Sequence, residues 1–250
     1  MRKYTNIVLL LAGAVLFVGI ASNFCFAQTE NADTGMTAQP SVGAPIQKWL
    51  QKKGLSPNVF FRDDYSFLDG DFELAGEITT DIMSGDFSID DPEILKQAKE
   101  NIENGNTLFF PWDSKGIAKV VTVEGNAMAE VKTGTDGIAA ISQDIGFKNV
   151  KAEFTFDVYP VEVNDADILD VFLADFGMKT DGVPSRVAVA KYKLSELSSP
   201  EHIVIDFSKN KEVKDFLEKD IEQRFNIICQ ITARRDEPAT VRFDNFKMSY

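Results

Sequence analysis

Histidine, cysteine and tryptophan are scarce in this chain: one His, two Cys and two Trp stand among 250 residues. A zinc centre draws on clusters of His and Cys, and the sequence offers none. No Cys–His pairing suggests a thiol nucleophile, and neither a P-loop nor a Rossmann glycine pattern occurs. The single His202, in the strand-like run "EHIVIDF", reads as an exposed strand residue rather than a base. Basic residues are also in short supply, with 26 Lys+Arg against 39 Asp+Glu and a formal net charge of −13. Nucleic acids and anionic lipid surfaces both need a basic footprint, so neither is expected as a partner. An acidic surface suits divalent cations instead. Carboxylate pairs are uninformative among so many acids, and no enzymatic activity is expected.

Long apolar runs are absent but for one, "IVLLLAGAVLFVGIA", which follows Arg2 and Lys3 and precedes "SNFCFAQTE". A basic head, an apolar stretch and a small residue closing "CFA" describe a secretory signal peptide, residues 1–27, cut after Ala27. The run is shorter than the roughly 20 residues a spanning helix needs, which disfavours an uncleaved anchor. Cys25 lacks a good lipobox. Removal of the signal takes Cys25, leaving Cys229 in "FNIICQITA" as a small hydrophobe without a disulfide partner. The expected location is outside the cytoplasm, secreted or periplasmic.

Residues 28–57 divide in two. "QTENADTGMTAQPSVGA" is small and polar with no apolar period, a flexible tether. "PIQKWLQKKGL" suggests a short helix that docks through Trp49 and Leu50. The body, residues 58–250, is mostly strand. "GIAKVVTVEG", "NAMAEVKTG", "GIAAISQDIG", "VKAEFTFDVYPVE", "ILDVFLADFG", "SRVAVAKYKL", "EHIVIDFS", "FNIICQITARR" and "ATVRFDNFKMSY" are short runs rich in Val, Ile and Phe, separated by Gly, Pro, Asn and Ser. That spacing is the signature of an all-β sandwich. In "AEFTFDVY", Phe154, Phe156 and Val158 alternate with Thr155, Asp157 and Tyr159, so one face meets the core and the other water or ligand. Two short surface helices interrupt the strands. "DDPEILKQAKENIENGN" has an Asp cap, Pro92 in the first turn and Gly105 after the last. "NKEVKDFLEKDIEQRF" carries Val213, Phe216, Leu217 and Ile221 at helical spacing.

One detail resists this pattern. Val241, Phe243 and Phe246 mark the final strand, yet Asp244 and Asn245, both poor strand residues, fall between them. A carboxylate beside a core needs a partner.

Four separated pieces, "LDGDFELAG", "PWDSKG", "VEGNAMAEV" and "VRFDNFKMS", with "ISQDIGFKNVKAEFTFDV" between them, resemble the jelly-roll carbohydrate-binding modules of the galactose-binding-like superfamily. Such modules are appended to xylanases, cellulases and laminarinases. The resemblance spans roughly residues 58–250 and implies a jelly-roll β-sandwich that binds a polysaccharide or other glycan without catalysis. It also implies a structural calcium ion tying the first strand to the last, held by Glu73, Glu124 and Asp244 with carbonyls from Asp71 and Ala127. Calcium takes six to eight oxygens from carboxylates and carbonyls. The alternative is that these acids cap strand ends in solvent or pair with Lys or Arg.

For the ligand, Tyr159, Gln230 and Arg234 are the candidates, on an outward row that includes Asp157 and Thr232. An ordinary solvated face accounts for them equally well. The stretch between Glu73 and Trp112 is longer than the family uses, and the second helix is extra. Both additions fit an alternative function, a structural or protein-interaction subunit of the cell envelope or extracellular space.

Overall fold

The computed structural model describes residues 49, 51–54, 69–84, 92–105, 112–146, 151–180, 183–217 and 224–249. The signal-like run, the polar tether, Leu50, the Asp cap before Pro92 and Ile221 lie outside these residues. Among the described residues, no helix is long and apolar enough to cross a membrane.

Among the described residues, ten strands make two antiparallel sheets, an all-β jelly-roll sandwich. The first sheet has the order β1 (Asp113–Lys115), β4 (Ile138–Gly146), β9 (Arg224–Thr232), β6 (Ile168–Thr180) and β7 (Val183–Lys193). The second has β2 (Ile117–Val123), β3 (Asn126–Lys132), β10 (Thr240–Ser249), β5 (Glu153–Glu162) and β8 (Glu201–Asp206). The nine strand-like runs of the sequence became β2 to β10. Only the three-residue β1, within "PWDSKG", had no signal of its own.

Alternation places the core. Phe154, Phe156 and Val158 of β5 are fully buried, and they meet Phe225, Ile227, Cys229 and Ile231 of β9 between the sheets. The Cys229 thiol is buried and free, its pKa pushed up by burial. Aromatic rings stack along the centre: Phe156 and Phe246 lie 5.3 Å apart and 9° from parallel, and Phe154 lies 5.0 Å from Phe156. Trp112 is buried against Phe72 and Phe246, at centroid distances of 4.9 and 4.8 Å.

Three helices whose bounds lie among the described residues accompany the sandwich: α1 (Glu73–Ser84), α2 (Pro92–Glu103) and α3 (Lys211–Leu217). The last two match the two expected from the sequence, and Gly105 follows α2 with φ +64°. The first replaces an expected strand at "LDGDFELAG". Its cause is a cap: both oxygens of Asp69 accept backbone N–H groups, from Leu74 and Ala75 at 2.8 Å each. Orphan amides at a helix start need such acceptors. Ala75, Ile78 and Ile82 then form one buried stripe. Gly76 and the β-branched "ITT" masked this helix in the sequence, because they score poorly as helix formers.

Trp49 docks on α1 as expected. It is buried, its indole N–H donates to Asp81 Oδ2 at 2.6 Å, and Lys53 pairs with Asp81 and Glu77 at 3.3 Å each.

Candidate functional site

The interruption in the last strand is a β-bulge. Asp244 pairs with Asp157 and Lys247 with Thr155, so Asn245 and Phe246 together face the single residue Phe156. Two residues against one shift the alternation by one place. Val241 and Phe243 point inward before the bulge, Phe246 and Met248 after it. Asn245 sits at φ +55°, a left-handed conformation that Asn tolerates better than most residues. The freed Phe246 N–H donates to the Gly70 carbonyl at 2.9 Å. Gly70 is required there, because a Cβ would stand 2.1 Å from Phe246 O.

The bulge turns the Asp244 carboxylate, wholly buried, into a polar network. It accepts from the Asn126 amide at 2.6 Å and from the Asn245 backbone N–H at 2.7 Å. The Asn245 amide also donates to Asp157 Oδ2 at 2.7 Å, and His202 Nδ1 lies 2.6 Å from Asp157 Oδ1. Burial pushes the Asp244 pKa up to about 6, assisted by the charges of Asp157 and Asp71 and opposed by the Asn245 and Asn126 donors. Burial likewise raises Asp69 to about 7, against the helix N–H bonds, with Asp71 adding to the rise. The charges acting on Asp244 are carboxylates. No Lys or Arg among the described residues pairs with it.

The residues expected to ligate calcium fall as follows. Asp71 is exposed in the turn before α1, and Glu73 opens that helix rather than lying in a strand. Glu73 Oε1 accepts the Ala127 backbone N–H at 3.2 Å, next to the Asn126 that holds Asp244. Glu124 is exposed in the β2–β3 turn at φ +54°. Among the described residues, no three Asp, Glu, His or Cys side chains are gathered as a metal cluster. The donor set is nevertheless the hard-oxygen kind calcium takes, and its carboxylates lack a Lys or Arg counter-charge among the described residues.

The three ligand candidates are not brought together. Tyr159 lies on β5 and Gln230 on β9, in opposite sheets, with the core between them. Arg234 is exposed in the turn after β9, beside Glu237 at 3.8 Å. Tyr159 belongs to a row of cross-strand charges. Its register partner Arg242 binds Glu130 at 2.9 Å, and Lys119 meets the same Glu130 at 3.0 Å. This is a solvated sheet face, internally neutralised.

The opposite outer face, that of β1-β4-β9-β6-β7, is different. Ser142, Asn226 and Gln230 point away from the core yet are 7%, 4% and 8% exposed, among Ala140, Ala174 and Ile228. The Gln230 amide N–H₂ reaches Thr232 Oγ1 at 3.4 Å, but its Oε1 is buried with no donor. Buried polar atoms are nearly always paired, so an orphan oxygen marks a place where a donor is missing. Accessible groups border this row. Asp170 pairs in register with Gln230 and meets Lys191 at 3.4 Å. Phe172 is half-buried beside Ile228, and Arg186 lies over its ring, Cζ 4.6 Å from the centroid. Phe172, Asp170 and Arg186 escaped the sequence reading. Their alternation in "ILDVFLADFG" and "SRVAVAKYKL" marks an outward row, but nothing local says which strands lie beside it.

No protein-family model matches this chain, and no curated protein matches it. The chain is similar in structure to solved carbohydrate-binding modules. A family 61 module bound to β-1,4-galactotriose is 15% identical, with 56% of this chain and 89% of that one covered at a TM-score of 0.36. The family 30 module of a cellulosomal cellulase of Clostridium thermocellum is 15% identical, covering 55% and 85% at 0.39. A family 28 module specific for non-crystalline cellulose is 17% identical, covering 56% and 87% at 0.39. At such TM-scores, what this chain binds has to be argued from its own residues.

Proposed function

We propose that the chain is an exported, non-catalytic carbohydrate-binding module whose ligand lies along the outer face of β4, β9 and β6. The observation that carries this reading is the outward row of Ser142, Asn226 and Gln230, withdrawn from water and containing an acceptor with no donor. Sugar hydroxyls supply donors and acceptors at close spacing, which suits amides and hydroxyls held rigidly on a sheet. Half-buried Phe172, at the margin of this row, is the aromatic group a sugar would meet. The motif resemblance set out from the sequence points the same way.

A structural calcium ion belongs to the same proposal. Glu73, Glu124 and Asp244, with the carbonyls of Asp71 and Ala127, would hold it. The uncompensated carboxylates around Asp244 support this reading. The ion supplies positive charge there and ties the β10 bulge to the start of α1.

The test is titration calorimetry of residues 28–250 against soluble glucans, galactans and xylans, with the Gln230→Met variant in parallel. Expected is saturable binding to at least one polymer, weakened about tenfold by the substitution. Binding that survives Gln230→Met unchanged moves the ligand to another face. An absence of binding to any glycan refutes the proposal.

A further inference from the structure

We infer that the ligand of this face carries a carboxylate, that is, a uronic-acid-bearing polysaccharide, and that Arg186 stacked on Phe172 is the group that reads it. This rests on the carbohydrate reading above.

Among the described side chains, other cations bordering the face are neutralised within the chain: Lys191 meets Asp170 at 3.4 Å and Lys115 meets Asp136 at 3.0 Å. Arg186 is exposed and has no carboxylate partner among the described residues. Its guanidinium lies over the Phe172 ring. A guanidinium is weakly hydrated and stacks readily on aromatic faces, which leaves its N–H edges directed outward as a fork. That fork matches a planar carboxylate through two parallel N–H···O bonds.

Among the described side chains, Phe172 is the aromatic group on this face, and Arg186 occupies one side of it. A neutral pyranose therefore finds that side of the platform taken, and the binding energy it forfeits has to come from charge. Phe172 is also the diagonal cross-strand neighbour of Gln230, since Gln230 pairs with Asp170 and Ile228 with Phe172. Such neighbours have side chains roughly 7–8 Å apart. A sugar chain lying along this face would bring a carboxylate to Arg186 and, once the buried Gln230 amide turns outward, a hydroxyl to that amide. Around this fork the protein is strongly acidic, with a formal net charge of −13. Repulsion from the rest of the surface disfavours densely charged polymers and favours one whose uronates are sparse, as in glucuronoxylan.

The experiment is calorimetric titration with polygalacturonate, alginate and glucuronoxylan, each beside its carboxyl-reduced neutral counterpart and with dextran sulfate as a further anion. Parent protein, Arg186→Gln, Arg186→Lys and Gln230→Met are compared after thermal unfolding confirms that each is folded. Expected is binding to at least one uronate polymer, weakened about tenfold or more by carboxyl reduction and equally by Arg186→Gln. Arg186→Lys should fall between, because it keeps the charge and loses the fork. If neutral polymers bind as tightly and Arg186→Gln changes nothing, the carbohydrate reading stands and this inference falls. If dextran sulfate binds as tightly as the uronates, general anion attraction replaces carboxylate recognition. If no carbohydrate binds, both readings fall together.

Discussion

Replacing Gln230 by Met should make this protein more stable while making it a poorer binder. Gln230 Oε1 is buried without a donor, and its amide N–H₂ makes one long bond, 3.4 Å, to exposed Thr232. A buried unsatisfied polar group costs about 1–3 kcal/mol, whereas a weak neutral hydrogen bond returns about 0.5 kcal/mol. Met has a similar length and shape, so packing against Ala140 and Ile228 is retained. The net expectation is a gain of about 0.5–2.5 kcal/mol. At about 2–4 °C per kcal/mol for a domain of this size, the melting temperature should rise by roughly 1–10 °C. The assay is chemical and thermal unfolding of both proteins without carbohydrate. A raised denaturant midpoint at unchanged slope marks a true stability change. A stabilised variant that has also lost glycan affinity shows that the unsatisfied oxygen is kept for a ligand, the trade that functional sites commonly make. A lowered midpoint refutes the reasoning, because it means that Oε1 has a partner in the folded protein.

Three further outcomes are expected. Calcium at a hundredfold its dissociation constant should stabilise the parent by about 2.7 kcal/mol, raising the melting temperature by roughly 5–11 °C over chelator. Asp244→Asn should abolish that difference, and a variant that still responds to calcium removes Asp244 from the site. In chelator the pH dependence should run toward acid. Asp244 and Asp69 have folded-state pKa values raised to about 6 and about 7. Their contribution is therefore most favourable below the unfolded carboxylate range and is lost as pH rises through 6–7. Melting scans between pH 5 and 8 should show stability falling as pH rises in chelator and a weaker fall in calcium. A rise with pH in chelator contradicts the buried-carboxylate argument. Gly70→Ala forces a Cβ to within 2.1 Å of Phe246 O. It should break the contact between the α1 turn and the bulge at a cost of about 3 kcal/mol. A melting temperature within 2 °C of the parent would mean that the turn relaxes freely.

Several elements were legible before any coordinates. Period-two runs marked β2 to β10, and inward and outward residues were assignable because successive side chains on a strand point to opposite faces. Pro92 and Gly105 marked the ends of α2 by their own backbone preferences. The Asp-Asn pair announced that the last strand is broken, since neither residue suits a regular strand. What it could not announce was the nature of the break. A bulge is defined by its partner, and only the pairing of β10 with β5 shows Asn245 and Phe246 together opposite Phe156. The helix α1 was hidden for a related reason, since its cap and packing outweigh weak local propensity.

The sequence by itself thus determined which residues are strand, which of them face inward, and that an acidic group interrupts the final strand. Those properties depend on neighbours one or two places away. Tertiary structure alone decided which strands share a sheet. Tyr159 and Gln230 look alike in the sequence, outward residues of two apolar strands, yet β5 and β9 lie in opposite layers with the core between them. Alternation specifies a side of a strand, and only hydrogen bonding between residues distant in sequence specifies its neighbours. The same pairing set Gln230 beside Asp170 and, one diagonal on, Phe172 under Arg186.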